Sequence, residues 1–262
     1  MKTLQPHAQR LSIIAGPCVV ESLQMLHEVA GTMCEITSEL GISYIFKASY
    51  RKANRSSASS FTGLGDEKAL SYLEEIKARY NVPVLTDVHE SHEVPIVADV
   101  ADVLQIPAFL CRQTDLLVAA GKSGRAVNIK KGQFAAPDDM LKAVHKVRAT
   151  GNDNVWVCER GTSFGYHDLV VDMRSLVIMR QTGCPVIFDA THSVQKPSIG
   201  DTSGGSPEFV PALTRAAVAV GIDGLFFETH PNPALAQSDA ATQLPLHKVK
   251  ELDHLVRTQS NP

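Results

Sequence analysis

Ser12-Ile13-Ile14-Ala15-Gly16-Pro17-Cys18 decides the fold. A nearly apolar run stops at a Gly-Pro turn that carries a cysteine. The pattern returns far along the chain as Gly224-Leu225-Phe226-Phe227, running into Glu228. A strand solvated on one face alternates polar and apolar residues. A strand buried on both faces, as in a parallel sheet covered by helices, is apolar throughout. Working outward from these two runs, β-branched segments at 44–47, 82–87, 103–106, 126–129, 155–158 and 186–189 complete a set of eight with 12–15 and 224–227. Amphipathic stretches at 23–39, 67–80, 137–148, 169–180, 208–220 and 246–257 separate them, with shorter helical segments at 93–99 and 114–120. Eight strand–helix units in 262 residues match a single-domain α/β (β/α)8 TIM barrel spanning 1–262. An open doubly wound sheet gives the same alternation, but no Gly-x-Gly-x-x-Gly turn follows the first strand.

Composition narrows the function. Twenty-five Lys and Arg against 28 Asp and Glu leave a net charge of −3, which argues against a basic nucleic-acid platform. A hydrophobic fraction of 44% supports a globular core and excludes global disorder. No apolar run approaches the length of a membrane span. The start of the chain, Met1-Lys2-Thr3-Leu4-Gln5-Pro6-His7, lacks the apolar segment of a signal peptide. Five scattered cysteines with no Cys-x-x-Cys pair fit reduced thiols in the cytoplasm better than a disulfide framework.

Barrel enzymes place their chemistry at the carboxyl ends of the strands. Here those ends carry Cys18 and Glu21, Lys47, Asp87 and His89, Gln105, Lys130-Lys131, Glu159-Arg160, Asp189 and His192, and Glu228 and His230. One such lysine is ordinarily a surface group, but a complete ring of polar strand ends is a site. Two subsets have chemical meaning. Lys47, Lys52, Arg55, Lys130, Lys131 and Arg160 place cations on one rim of an acidic chain, suited to phosphate and carboxylate groups. A solvated charge run would account for Lys130-Lys131 alone. Cys18, His192, Glu228 and Asp239 form the second subset, since barrel closure makes the seventh, eighth and first strands neighbours. A thiolate, an imidazole and two carboxylates suit a divalent metal ion such as Zn2+, Fe2+ or Mn2+. A lone cysteine is more often packing than ligand, and the other four are read as small core residues.

Three short motifs are rejected. Gly121-Lys122-Ser123 lacks the earlier glycine of a phosphate-binding loop, position 116 being Leu116. His89-Glu90-Ser91-His92-Glu93 brings the second histidine one residue too early for a zinc-protease helix. Asn54-Arg55-Ser56 matches a glycosylation sequon, which has no meaning without secretion.

In combination, the motifs resemble a known family. IAGPC at 14–18, FKAS at 46–49, KANRSS at 52–57 and QIPAFLCRQTD at 105–115 form one half of the match. KKGQF at 130–134, ERGT at 159–162, DATHSVQ at 189–195 and ETHP at 228–231 form the other. Together they resemble the 3-deoxy-D-manno-octulosonate 8-phosphate synthases from about residue 11 to residue 250. The resemblance implies a homotetrameric (β/α)8 barrel that condenses phosphoenolpyruvate with D-arabinose 5-phosphate and water, on the route to lipopolysaccharide. It implies that Lys47, Lys52, Lys130, Gln133 and Arg160 hold phosphoenolpyruvate, with Asp87 and Gln105 completing the substrate-binding set. Asn54, Arg55 and Ser56 would hold the pentose phosphate, joined by Arg112 from a neighbouring subunit. Lys47, Lys130, His192 and Asp239 are the expected catalytic residues. Cys or Asn at the position of Cys18 separates metal-dependent from metal-independent members. Cys18 therefore implies a divalent cofactor held by Cys18, His192, Glu228 and Asp239. The glycine-rich residues 198–205 would close over the site.

Two rival readings stand beside this one. The related 3-deoxy-D-arabino-heptulosonate 7-phosphate synthases share the Gly-Pro-Cys element, but their second loop usually reads Lys-Pro-Arg-Thr where this chain has Lys52-Ala53-Asn54-Arg55-Ser56-Ser57. A catalytically silent sugar-phosphate-binding barrel would have lost strand-end residues, and no such loss is evident.

Overall fold

A computed structural model describes residues 11–54, 57, 60–196 and 204–252. Eight parallel strands alternate with helices: β1 (Ser12–Gly16), α1 (Leu23–Leu40), β2 (Ser43–Lys47), α2 (Asp66–Tyr80), β3 (Val84–Asp87), α3 (Val94–Val100), β4 (Val103–Ile106), α4 (Thr114–Lys122). The second half continues with β5 (Ala126–Lys130), α5 (Met140–Arg148), β6 (Val155–Glu159), α6 (Arg174–Arg180), β7 (Val186–Asp189), α7 (Val210–Val220) and β8 (Gly224–His230). Each strand pairs with the next, and β8 returns to β1 in parallel register, from Ser12 opposite Gly224 to Gly16 opposite Glu228. That closure makes the molecule a (β/α)8 barrel and excludes the open sheet.

Strand side chains alternate between the barrel interior and the helix layer. Ile14, Ile45, Leu85, Val103, Ala126, Trp156, Cys158, Ile187 and Phe226 fill the interior as one apolar cluster. Their neighbours, such as Ile13, Phe46, Leu104, Val157 and Phe227, face outward into a second cluster shared with the helices. Two residues further along an inward face lie Lys47, Asp87, Gln105, Asn128, Arg160, Asp189 and Glu228. Seven of the eight strands thus carry apolar groups at the base and a charged or hydrogen-bonding group at the mouth, β1 having Gly16 there.

Helix α1 shows how the outer layer is built. Its buried residues Met25, Leu26, Val29, Ala30, Met33, Ile36 and Thr37 recur at helical spacing. The Ser22 hydroxyl accepts from Met25 N at 3.2 Å to start the helix, and Gly41 ends it at φ 63°.

Two expected helices differ in extent. Residues 169–180 were expected to be helical throughout, but Leu169–Val170 instead pairs antiparallel with Thr162–Ser163. The β-branched Val170-Val171 pair favours that extended course. Asp172 then starts the helix, its carboxylate accepting from Arg174 N at 3.0 Å. Over 246–257 the described part is a tight 3-10 helix, Leu246–Leu252. Of the expected closing loop, residues 198–203 lie outside the described residues, while Gly204–Gly205 pairs with Gln195–Lys196. Among the described residues, no helix is long and apolar enough to cross a membrane.

Candidate active site

A cavity of about 510 Å3 opens over the carboxyl ends of the strands. Its lining includes Lys47, Lys52, Asn54, Asp87, Gln105 and Lys130, together with Gln133, Arg160, His192, Glu228 and Asp239. The polar strand ends therefore converge on one space. Arg55 and Ser56 lie outside the described residues. Arg112 is exposed and outside the cavity lining. Lys131 does not share the cationic rim expected of it. One residue out of phase with Lys130, it is buried beneath the site, donating to Gly161 O at 3.2 Å and Thr162 Oγ1 at 2.9 Å. Glu21 and His230, also strand-end residues, pair with each other at 3.6 Å outside the cavity lining.

The metal-ligand candidates meet as barrel closure requires. The Cys18 thiol donates to Asp239 Oδ2 at 3.2 Å, and one ligand atom each from Cys18, Glu228 and Asp239 lies within 4.8 Å of the others. His192 Nε2 stands 3.9 Å from Glu228 Oε1 and 3.8 Å from Asp239 Oδ2. Glu228 Oε2 is buried and, among the described residues, has no hydrogen-bond partner. A buried carboxylate oxygen with nothing to bind is costly unless a cation or donor meets it. The donor set and this orphaned oxygen fit a divalent ion. Burial pushes the Cys18 thiol well above its ordinary value, with Asp239 and Glu228 adding to the rise. A cation among the three groups would reverse that direction and favour the thiolate.

Local structure brings these groups together. Gly16 passes so close to the Lys47 carbonyl that a Cβ would overlap it. Cys18 N donates to Gln243 Oε1 at 3.2 Å, and Gln243 Nε2 donates to Ser238 O at 2.9 Å, joining the first strand's turn to the loop carrying Asp239. Asp239 itself has φ 47°, a left-handed conformation that Asp tolerates better than most residues.

The cations are held by internal anions. Lys47 pairs with Glu228 and donates to Cys18 O at 3.0 Å. Lys130 donates to Asp189 Oδ2 at 2.7 Å, and the same oxygen lies 2.8 Å from His192 Nδ1. Burial opposes the Asp189 charge, but His192 and Lys130 outweigh it and hold its carboxyl below the usual range. An ionised carboxylate only accepts, so Nδ1 carries a proton, and Nε2 is turned toward Glu228 and Asp239. Burial also opposes the Lys52 charge, yet Cys18, Glu228, Asp87 and Asp239 raise its pKa. The balance favours the charged form of Lys52. Asp87 accepts from Ser49 Oγ and from Gln105 Nε2, the latter at 2.7 Å, while Asn128 Nδ2 donates to Gln105 Oε1 at 2.9 Å. Arg160 donates to Gln195 Oε1 at 3.1 Å through Nη2. Its Nη1, like Gln133 Oε1, is buried without a hydrogen-bond partner among the described residues.

Asp189 was expected only as one of the polar strand ends, with no role of its own, and Gln195 and Gln243 were given none. Asp189 stands on the inward phase of its strand, a signal already present in its spacing from Ile187. Gln243 lies 225 residues from Cys18, and no local pattern announces the contact.

Comparison with known proteins supports the resemblance. The sequence matches the DAHP synthetase I family over residues 3–261. A 2-dehydro-3-deoxyphosphooctonate aldolase of Francisella tularensis subsp. holarctica (strain LVS) is 58% identical over 255 residues, covering 94% of this chain and 93% of the relative. The enzyme of that name from Azoarcus sp. (strain BH72) is 60% identical over 243 residues, 92% of this chain and 87% of its own. That from Xanthomonas campestris pv. campestris (strain B100) is 58% identical over 245 residues, 93% and 89% respectively. With such identity across most of its length, the chain belongs to the DAHP synthetase I family and, within it, to the 2-dehydro-3-deoxyphosphooctonate aldolases.

Proposed function

We propose that this cavity condenses phosphoenolpyruvate with D-arabinose 5-phosphate and water to give 3-deoxy-D-manno-octulosonate 8-phosphate and inorganic phosphate, a step toward lipopolysaccharide. The observation that carries this reading is the convergence of Lys47, Lys52, Lys130 and Arg160 on one cavity beside the Cys18, Glu228 and Asp239 cluster. Phosphoenolpyruvate has both a carboxylate and a phosphate, and a cationic cavity orients it while offsetting its charge. The unpartnered Nη1 of Arg160 is the donor that a phosphate or carboxylate oxygen would satisfy, and Gln133 stands beside it in the lining. Lys52, read as a phosphoenolpyruvate ligand, and Asn54, read as a sugar-phosphate ligand, both line the cavity.

In the reaction, C3 of phosphoenolpyruvate forms a bond to the aldehyde carbon of the sugar. Water adds at C2, and the C2–O bond to phosphate breaks. Lys130 and Lys47, each paired with a buried carboxylate, can stabilise the developing negative charge of the departing phosphate. Asp189 fixes the tautomer and direction of His192.

The finer reading is a metal-dependent enzyme, with Cys18, His192, Glu228 and Asp239 holding a divalent ion such as Zn2+, Fe2+ or Mn2+. Such an ion supplies a Lewis acid toward a substrate oxygen. We further propose a cytoplasmic homotetramer in which Arg112 reaches a neighbour's sugar phosphate. Five free cysteines, four of them buried, support a reducing compartment.

The deciding experiment measures phosphate release from purified protein. Release should require both phosphoenolpyruvate and a sugar phosphate, and arabinose 5-phosphate should be consumed faster than erythrose 4-phosphate. Faster turnover of erythrose 4-phosphate would assign the chain to heptulosonate synthesis instead. No release with either sugar would leave a binding protein.

A further inference from the structure

Glu93 belongs to the histidine-rich stretch that makes no zinc-protease motif, and the reaction as described does not use it. It is 7% exposed and stands at the start of α3, yet its side chain does not cap that helix. The carboxylate turns instead toward the mouth of the barrel. Oε2 accepts from the Tyr50 hydroxyl at 2.7 Å and from His89 N at 3.0 Å, with His89 Nδ1 at 3.5 Å. Oε1 is ion-paired to the Arg51 guanidinium, whose other nitrogen donates to Asp66 Oδ2 at 3.2 Å. One buried carboxylate therefore gathers the segment after β2 and the segment after β3.

Both segments continue directly into the cavity. Lys52, Ala53 and Asn54 follow Arg51 into its lining, and His89 lines it from the other side. Lys52, whose N donates to Thr62 O at 2.8 Å, is bonded directly to Arg51, so the backbone that Glu93 holds through Arg51 leads straight into the cavity lining. Burial pushes the Tyr50 hydroxyl up to about 12, so it remains a donor to the carboxylate at neutral pH. A buried carboxylate with three donors resists displacement, because every lost contact leaves a polar group unsatisfied.

We propose that Glu93 is a positioning residue that sets Lys52 for phosphoenolpyruvate and Asn54 for the sugar phosphate, through Arg51 and Tyr50. This rests on the reading of the cavity given above, and the test is built so that the two fail separately. Glu93→Gln keeps the shape and removes the charge that holds Arg51. Arg51→Met removes the same pair from its partly exposed side and is the milder change. Each variant should raise the KM for arabinose 5-phosphate and that for phosphoenolpyruvate, each about tenfold, and leave kcat within about threefold. The double variant should be little worse than either single one, since both remove one interaction. Hydrogen exchange on the substrate-free full-length protein supplies the second arm. The Lys52 amide should exchange about tenfold faster in both variants, while amides of β1 and α1 stay unchanged. A lowered melting temperature with unchanged Lys52 exchange, or with both KM values within twofold of the parent, would overturn the proposal. If the parent protein released no phosphate, the functional reading would fall and the exchange result would decide the role of Glu93.

Discussion

At the scale of the residue, Cys18 is where small changes have the largest chemical consequence. Its thiol lies 3.2 Å from Asp239 Oδ2 and shares a 4.8 Å neighbourhood with Glu228. If these groups hold a divalent ion as proposed, Cys18→Ala leaves a weaker donor set, because the thiolate is the soft ligand that favours transition metals. The variant should purify folded, with an unchanged far-ultraviolet circular dichroism spectrum. Elemental analysis should find its metal gone, and turnover should fall by about 100-fold or more. Chelation of the parent should do the same. His192→Ala, Glu228→Ala and Asp239→Ala should each lose metal too. Full turnover by metal-stripped parent protein would remove the cofactor from the account. Cys18→Asn is the separate case: it imitates the metal-independent branch and is expected to retain more activity than Cys18→Ala.

At the scale of the element, the mouths of β2 and β3 form one electrostatic unit. Asp87 is fully desolvated, which alone would raise its pKa, but Lys52, Lys47, His89 and Lys130 outweigh burial and hold it below the usual carboxylate range. Its unfolded value is about 3.9. Below that pH the unfolded chain binds a proton that folded Asp87 does not, so stability falls as pH falls, by at most about 1.4 kcal/mol per pH unit for this group. From pH 7 to 5 the contribution is fully present and flat. Thermal melts between pH 5 and 3 should therefore show a steeper loss for the parent than for Asp87→Asn, and equal slopes would refute this account. The same alternation explains how much could be read in advance. Ile45 to Lys47, Leu85 to Asp87, Val103 to Gln105 and Phe226 to Glu228 are each two residues apart, so the strand period alone sends the polar member inward above the apolar one. Lys131 was misplaced because its charge was counted without that period. The Thr162–Val170 hairpin was hidden because Leu169-Val170-Val171 suits a strand or a helix equally well in isolation. Gln243 and Glu93 act through contacts between distant segments, which periodicity does not report.

At the scale of the whole molecule, the remaining question is whether one barrel owns a complete site. The 3-10 turn Ala108–Leu110 after β4 lines the cavity, and Arg112 follows it into solvent. Lys146 donates to Arg112 O at 2.9 Å, fixing the backbone while the side chain remains exposed. Asp115 stands in the first turn of α4, three residues on from Arg112, and among the described residues no ion pair joins the two. Phe109 and Phe134, in the loops after β4 and β5, are 56% and 58% exposed, an apolar surface of the kind that subunits cover. In the proposed tetramer, Arg112 completes a neighbour's sugar-phosphate pocket with a planar, permanently charged donor. Arg112→Ala should then raise the KM for arabinose 5-phosphate without lowering the melting temperature. Lys130→Gln should be inactive for a different reason, having lost a cation of its own cavity. Mixed oligomers of the two variants pair an intact Lys130 cavity with an intact neighbouring Arg112. After random subunit exchange in equal amounts, about a quarter of the sites are complete, and about that fraction of the parent activity should return. If exchange is confirmed by mass spectrometry and no activity returns, Arg112 serves only its own subunit, and each barrel works alone.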